Sequence, residues 1–301
     1  MTAIPILLPI LLATGPCPNA VISEGSAPHC VSRQFSFTEG PTALPDGRVL
    51  FTDQNNNNVW LWDERAPDSV TLWGSGLGRA NGMCCNHNDQ TLWLCADERM
   101  ELWQMPLTSR ALPKTKIASF GAKPFNGPND VYATVHGIFF TDPFYARAWW
   151  SHKTPPQSSA QVYALYEGHP IRLTDDLVQP NGIIGTPDGK MLFVSDIKAG
   201  KTYRYSIERE GTRPKLTQRT LFCNQGSDGM TIDYEGRLYL TGREGVYIYD
   251  RNGAFLGIIS VPEPWTANVC FGGSKRDTLC ITASRGFYTI KTRTHGLPHG
   301  K

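Results

Sequence analysis

No stretch of this 301-residue chain is long enough to span a bilayer. The longest uninterrupted apolar run, Ile4 to Ala13, has 10 residues and contains Pro5 and Pro9, about half of what a spanning helix needs. An excess of one charge sign is missing too. The 29 basic and 27 acidic residues are scattered to a net +2, so no basic stripe exists to neutralise a phosphate backbone, and nucleic acid is not an expected partner. The eight cysteines include no CxxC pair and no Cys/His cluster at zinc spacing, which argues against a structural zinc site. GxSxG and HExxH are absent, and the seven histidines lie mostly in turns or tails, which excludes the usual serine-hydrolase and zincin schemes. The glycine-rich Gly74 to Gly78 has neither a P-loop lysine nor a following helical pattern, so it does not read as a phosphate loop. No Asn-x-Ser/Thr sequon informs on compartment.

Ile4 to Ala13 has the length of a secretory apolar core. Yet no Lys or Arg precedes it, and Pro16 follows the small pair Ala13 and Gly15. A cleaved leader and a retained N-terminal segment both stay open, as do cytoplasm and export. Residues 1–34 are therefore set apart as an N-terminal segment, an outer-strand arm if retained, and 35–301 as one domain. Cys17 and Cys30 flank a loop and are a candidate disulfide pair in an exported protein. Several of the remaining cysteines sit beside apolar neighbours and read as buried thiols.

What the chain does contain is a repeat. An acidic or amide residue precedes an apolar run at Glu39, Asn81, Asn129, Asn181, Asp228 and Asn268, at separations of 42, 48, 52, 47 and 40 residues. Each unit continues through a turn such as Pro45-Asp46-Gly47 or Pro187-Asp188-Gly189 into a second strand, VLFTD, TLWLCAD, IFFTD, MLFVSD, LYLTG or TLCITA. Third strands follow, for instance Val59 to Trp62 and Phe287 to Ile290. Three or four strands per unit, a period of 40 to 52 and scarcely any helical periodicity predict an all-β, six-bladed β-propeller.

In that fold the leading residue of each innermost strand stands at the same end of a central channel. All six are oxygen donors, two are acidic, and none is Lys or Arg. Such a ring suits one hard divalent cation, Ca²⁺ first, with Mg²⁺, Mn²⁺ or Zn²⁺ as alternatives. For any single position, strand capping by a turn residue explains the same amino acid.

EGPTALPDGRVLFTD, FNGPNDVYATVHGIFFTDP, QPNGIIGTPDGKMLFVSD, SDGMTIDYEGRLYL and WTANVCFGG together resemble the blade motifs of the SMP-30/gluconolactonase/regucalcin-like family, from about Phe35 to Ile290. The resemblance implies a propeller with one divalent cation in its channel that hydrolyses lactones; related propellers hydrolyse organophosphates. Carried onto this chain, it makes Glu39, Asn129, Asn181 and Asp228 the metal ligands and Asp228 the general base, with Asp196 as a second candidate base. Asn81, Asn126, Asn268 and Phe144 are expected around the substrate, a small-molecule lactone. Asp196 also has a structural reading, since Asp53, Asp97 and Asp142 close equivalent strands and brace turns there. Two departures, Cys95-Ala96-Asp97 and Gly127, separate the chain from the sugar-lactone pattern of the family, whose regucalcin branch carries arginine at the place of Gly127. The insertion Pro143 to Ala160 brings Phe144, Tyr145, Trp149 and Trp150, expected either as an aromatic lid over the channel or as a loop packed on the propeller face. A propeller with a structural metal and no hydrolytic activity stays open beside the lactonase reading. Even charge balance and closed sheet edges suit a monomer.

Overall fold

The computed structural model describes residues 19–107, 114–134 and 136–297. The apolar run at Ile4 to Ala13, Cys17 and His299 lie outside them. Each sequence unit is a four-stranded antiparallel sheet, and the six sheets are the blades of a propeller. Blade one is β2 (Thr38–Ala43), β3 (Val49–Asp53), β4 (Asn58–Trp62) and β5 (Val70–Ser75). Blade two is β6 (Ala80–Asn86), β7 (Thr91–Ala96), β8 (Glu101–Pro106) and β9 (Lys114–Ile117). After a small hairpin, β10 (Ser119–Phe120) and β11 (Lys123–Pro124), comes blade three: β12 (Val131–Thr134), β13 (Gly137–Asp142), β14 (Gln161–Tyr166) and β15 (His169–Arg172). Blade four is β16 (Pro180–Gly185), β17 (Met191–Asp196), β18 (Lys201–Glu210) and β19 (Arg213–Cys223), and blade five is β20 (Met230–Ile232), β21 (Leu238–Gly242), β22 (Gly245–Tyr249) and β23 (Phe255–Ser260). Blade six takes β24 (Thr266–Gly272), β25 (Thr278–Ala283) and β26 (Gly286–Lys291) from the end of the chain, and its outer strand β1 (His29–Ser32) from the beginning.

The turn residues act locally. In the first hairpin Gly47 N donates to Leu44 O and Arg48 N to Asp46 Oδ1 at 3.1 Å. The Pro-Asp-Gly turn at 187–189 repeats both contacts, with Gly189 N on Thr186 O and Lys190 N on Asp188 Oδ1, so the aspartate takes the place of a backbone acceptor. Second strands are apolar on both faces because blades pack face to face. VLFTD is buried along its whole length, whereas no residue of the outer strand β5 is more than half-buried. Core clusters accordingly lie between neighbouring blades. One joins blades six and one through Phe51 and Phe287, stacked at 4.2 Å with 9° between ring planes. Val21 and Ile22, ahead of β1, are buried in the cluster of blades five and six, so the propeller begins upstream of residue 35.

Candidate active site

Inner strands β2, β6, β16 and β24 carry β-bulges, between Glu39 and Thr42, Ala80 and Met83, Pro180 and Ile183, and Thr266 and Asn268. A bulge turns a side chain out of the regular alternation. Each of the four lies at the leading residue predicted from the repeat. Asn129 and Asp228 stand just ahead of β12 and β20, with Asn129 N already donating to Thr141 O of β13. Contacts between blades fix the ring: Thr52 Oγ1 donates to Asn81 O, Gly82 N to Asn129 O, and Thr241 Oγ1 to Ala267 O. Gly40 is required there. Its φ is +44°, and a Cβ would stand 2.1 Å from Asn81 O.

Glu39, Asn81, Asn129 and Asp228 line one cavity of about 360 Å³. Asn181 borders it, with Nδ2 donating to Asp228 Oδ1 at 2.7 Å and to the Tyr145 hydroxyl at 2.8 Å. Asn268 lies one layer deeper and donates to Glu39 Oε2 at 3.2 Å, while Gly40 N donates to the same oxygen at 2.9 Å. Trp265 Nε1 donates to Asp228 Oδ2 at 2.5 Å. Burial, then the Asp228 carboxylate, holds the Glu39 carboxyl well above its ordinary value, and the Gly40 and Asn268 hydrogen bonds only partly offset this. Burial raises Asp228 to about 6, against the lowering effect of Trp265, Asn181 and the charge of Arg147. The buried Glu39 carboxyl and the half-buried Asp228 carboxyl therefore share one cavity, with amide side chains on the ring and no basic ring member.

The donor chemistry fits a hard cation. Asn181 Oδ1 is buried and has no hydrogen-bond partner, which is costly unless an electrophile completes it. Among the described residues no group of three or more His, Cys, Asp or Glu side chains has metal-binding geometry. Any ligand set here must combine the two carboxylates with amide oxygens.

The remaining predicted residues stand elsewhere. Asp196 accepts Val178 N and Gln179 N at 2.8 and 2.9 Å and braces the loop into β16, outside the cavity lining. Asn126 is fully buried, with Nδ2 on Ser159 O and Oδ1 accepting Gln157 N, so it ties down the insertion. Phe144 stacks on Trp150 at 6.0 Å, away from the cavity. Tyr145 and Arg147 line the cavity instead, with Phe37, Gln179, Ile197, Lys198 and Trp265. The insertion thus serves both expectations, Trp150 packing down while Tyr145 and Arg147 wall the mouth. In extended chain successive side chains point to opposite sides, a parity that would have picked Tyr145 and Arg147 over Phe144. Trp265 stood in the WTANV motif, three residues ahead of Asn268. The ring has no cation of its own, but Arg147 and Lys198 reach the cavity from outside it.

A six-bladed propeller with an oxygen-rich cavity lined by leading residues of its inner strands is the class that fold and site define. The family model described as SMP-30/Gluconolactonase/LRE-like region matches residues 37–285, and the chain belongs to that family. A gluconolactonase of Zymomonas mobilis is 28% identical over 307 residues, covering 92% of this chain and 85% of its own. Among solved structures, a gluconolactonase from Xanthomonas campestris superposes with a TM-score of 0.82 at 23% identity, covering 91% of this chain and 92% of that one. A calcium-binding protein, regucalcin from Agrobacterium tumefaciens, does so with a TM-score of 0.73 at 16% identity, covering 91% and 97%. At these identities the two structures establish a shared fold. Among the described residues no helix is long and apolar enough to cross a membrane.

Proposed function

We propose that this chain is a lactonase, a carboxylic ester hydrolase that opens a cyclic ester with water and depends on one divalent cation. Membership of the family and kinship with a gluconolactonase support the reaction class. The observation that carries the cation is the buried Glu39 carboxyl and the half-buried Asp228 carboxyl on one cavity, next to the unpartnered Oδ1 of Asn181. Glu39, Asn129, Asn181 and Asp228 would hold it. When bound there, a divalent cation supplies Lewis acidity toward the lactone carbonyl.

The protein's own groups account for the rest. Asp228 accepts one hydrogen bond on each oxygen, from Asn181 and Trp265, and each oxygen keeps a second acceptor position. Ionised Asp228 therefore keeps a free acceptor position for the proton of an attacking water. The C–O bond to the ring oxygen then breaks, the same proton passes to that oxygen, and the product is a hydroxy acid. Burial pushes the Tyr145 phenol far up, so it stays neutral. Because its oxygen accepts from Asn181, its O–H remains free to donate to substrate. Phe37, Ile197 and Trp265 give the cavity an apolar wall that limits competing water.

The test is metal-stripped protein assayed for acid release from a lactone panel, with Ca²⁺, Mg²⁺, Mn²⁺ and Zn²⁺ added back. Turnover should appear only with metal, and Asp228→Ala and Asn181→Ala should each lower kcat/KM by at least about 100-fold while the fold is retained. Full turnover in chelator, or in Asp228→Ala, would sink the reading.

A further inference from the structure

Asp53, Asp142 and Asp196 end the second strands of blades one, three and four. Each accepts two consecutive backbone N–H groups from the loop entering its own blade: Ser36 and Phe37, Asn126 and Gly127, Val178 and Gln179. Asp97, directly after β7, holds the equivalent place in blade two. Among the described residues it accepts no backbone N–H; instead its Oδ1 accepts Arg147 Nε at 3.3 Å, while Oδ2, 3.1 Å from the same nitrogen, is paired with it by charge alone. Asp97 is 2% exposed, so this charge pair is largely removed from water. The backbone around Arg147 is fastened as well. Trp150 Nε1 donates to Asp97 O at 3.1 Å, and Lys153 Nζ to the carbonyls of Arg147 and Trp150 at 2.9 Å. Gly127 makes room for this anchor, since a Cβ there would stand 2.6 Å from the Trp150 ring.

The guanidinium is thereby fixed on the cavity wall, 5.4 Å from the Tyr145 ring and 5.6 Å from that of Trp149. Only its Nε is engaged. Neither terminal nitrogen makes a hydrogen bond among the described residues, and both belong to the face that grips oxyanions in a two-point fork. Lys198, exposed, borders the same cavity. A buried aspartate withdrawn from loop bracing to hold an arginine beside a cavity has the form of a recognition element, one that rigidity makes selective.

We infer that Arg147, with Lys198, is an anion subsite that selects lactones bearing an oxyanion substituent, a carboxylate, sulfate or phosphate, remote from the ester carbonyl. Asp97 is the positioning residue for Arg147. The assignment of a lactone rests on the function proposed above; the recognition of the anion does not.

Two measurements keep these apart. Calorimetry of the full, Ca²⁺-loaded chain compares glucose 6-sulfate with glucose, neither of which carries a lactone carbonyl. The sulfated sugar should bind at least 10-fold more tightly. Arg147→Gln should cut that ratio about 10- to 100-fold, the range of a charge-assisted fork, Arg147→Lys should restore part of it, and Asp97→Asn should lower it to an intermediate value. The second compares kcat/KM for gluconolactone and for the same lactone carrying a 6-sulfate, where Arg147→Gln should change the ratio through KM. Binding discrimination without turnover of either lactone would leave the subsite standing and remove the lactonase reading. Equal binding of the two sugars, or a ratio unmoved in both Arg147 variants, would overturn the subsite.

Discussion

Replacing Asp228 with asparagine should make the metal-free protein more stable while removing its activity. In the folded chain the Asp228 carboxyl sits at about 6 against an ordinary 3.8, so the folded state binds its proton more tightly than the unfolded state does. The wild type therefore loses stability as pH rises from about 4 through 6, and above that the loss is complete. Two pH units correspond to roughly 3 kcal/mol at most. The substitution removes the charge but leaves one oxygen to meet two donors, Trp265 Nε1 and Asn181 Nδ2. Turning over the Asn181 amide presents its unpartnered Oδ1 to the introduced NH₂, which holds the cost to about 1 kcal/mol. A net gain of about 1–2 kcal/mol follows, roughly 2–5 °C in Tm for a chain of this size. The assay is thermal unfolding by circular dichroism in chelator at pH 8 and pH 4.5, then at pH 8 with millimolar Ca²⁺. Asp228→Asn should melt higher at pH 8 in chelator, match wild type at pH 4.5, and melt lower than wild type once Ca²⁺ is present, because binding stabilises only the protein that keeps the site. A variant less stable than wild type at pH 8 in chelator, or a difference that ignores pH, would refute the reasoning.

Other perturbations test the frame around that carboxylate. Trp265→Phe removes a hydrogen bond that lowers the Asp228 value, so the acid limb of the kcat/KM profile should move upward by about 0.5–1 pH unit; an unmoved limb would detach Trp265 from the base. Phe287→Ala breaks the 4.2 Å stack that joins blades six and one. It should cost about 3–5 kcal/mol in urea unfolding, with less than 1 kcal/mol arguing that the seam is held elsewhere.

Blade number, strand order within blades and the oxygen ring were legible because each is written locally and repeated. Asp46 and Asp188 act within two residues of their partners, and the ring residues open an apolar run in every unit. The cavity's outer wall was not legible in the same way. Residues 143–160 have no counterpart in other blades, so nothing periodic shows which side Tyr145, Arg147 or Phe144 faces, and only the alternation of extended chain carries that information. Asp97, directly after β7, and Asp196, at the end of β17, hold equivalent places, yet one holds an arginine 50 residues away while the other braces its own loop. That difference is set by tertiary contact. Strand β1, four residues long, pairs with residues about 260 positions later, beyond the reach of any local pattern.

That last pairing sets an order on synthesis. The segment of β1 leaves the ribosome well before its partner β26, which ends at Lys291, so the sixth sheet cannot seat its outer strand until about 260 further residues have been made. Nascent fragments carry an unsatisfied strand at the front and open blades behind it, the species most exposed to misassembly. Arrival of β24 to β26 is the step that converts a vulnerable intermediate into a sealed ring.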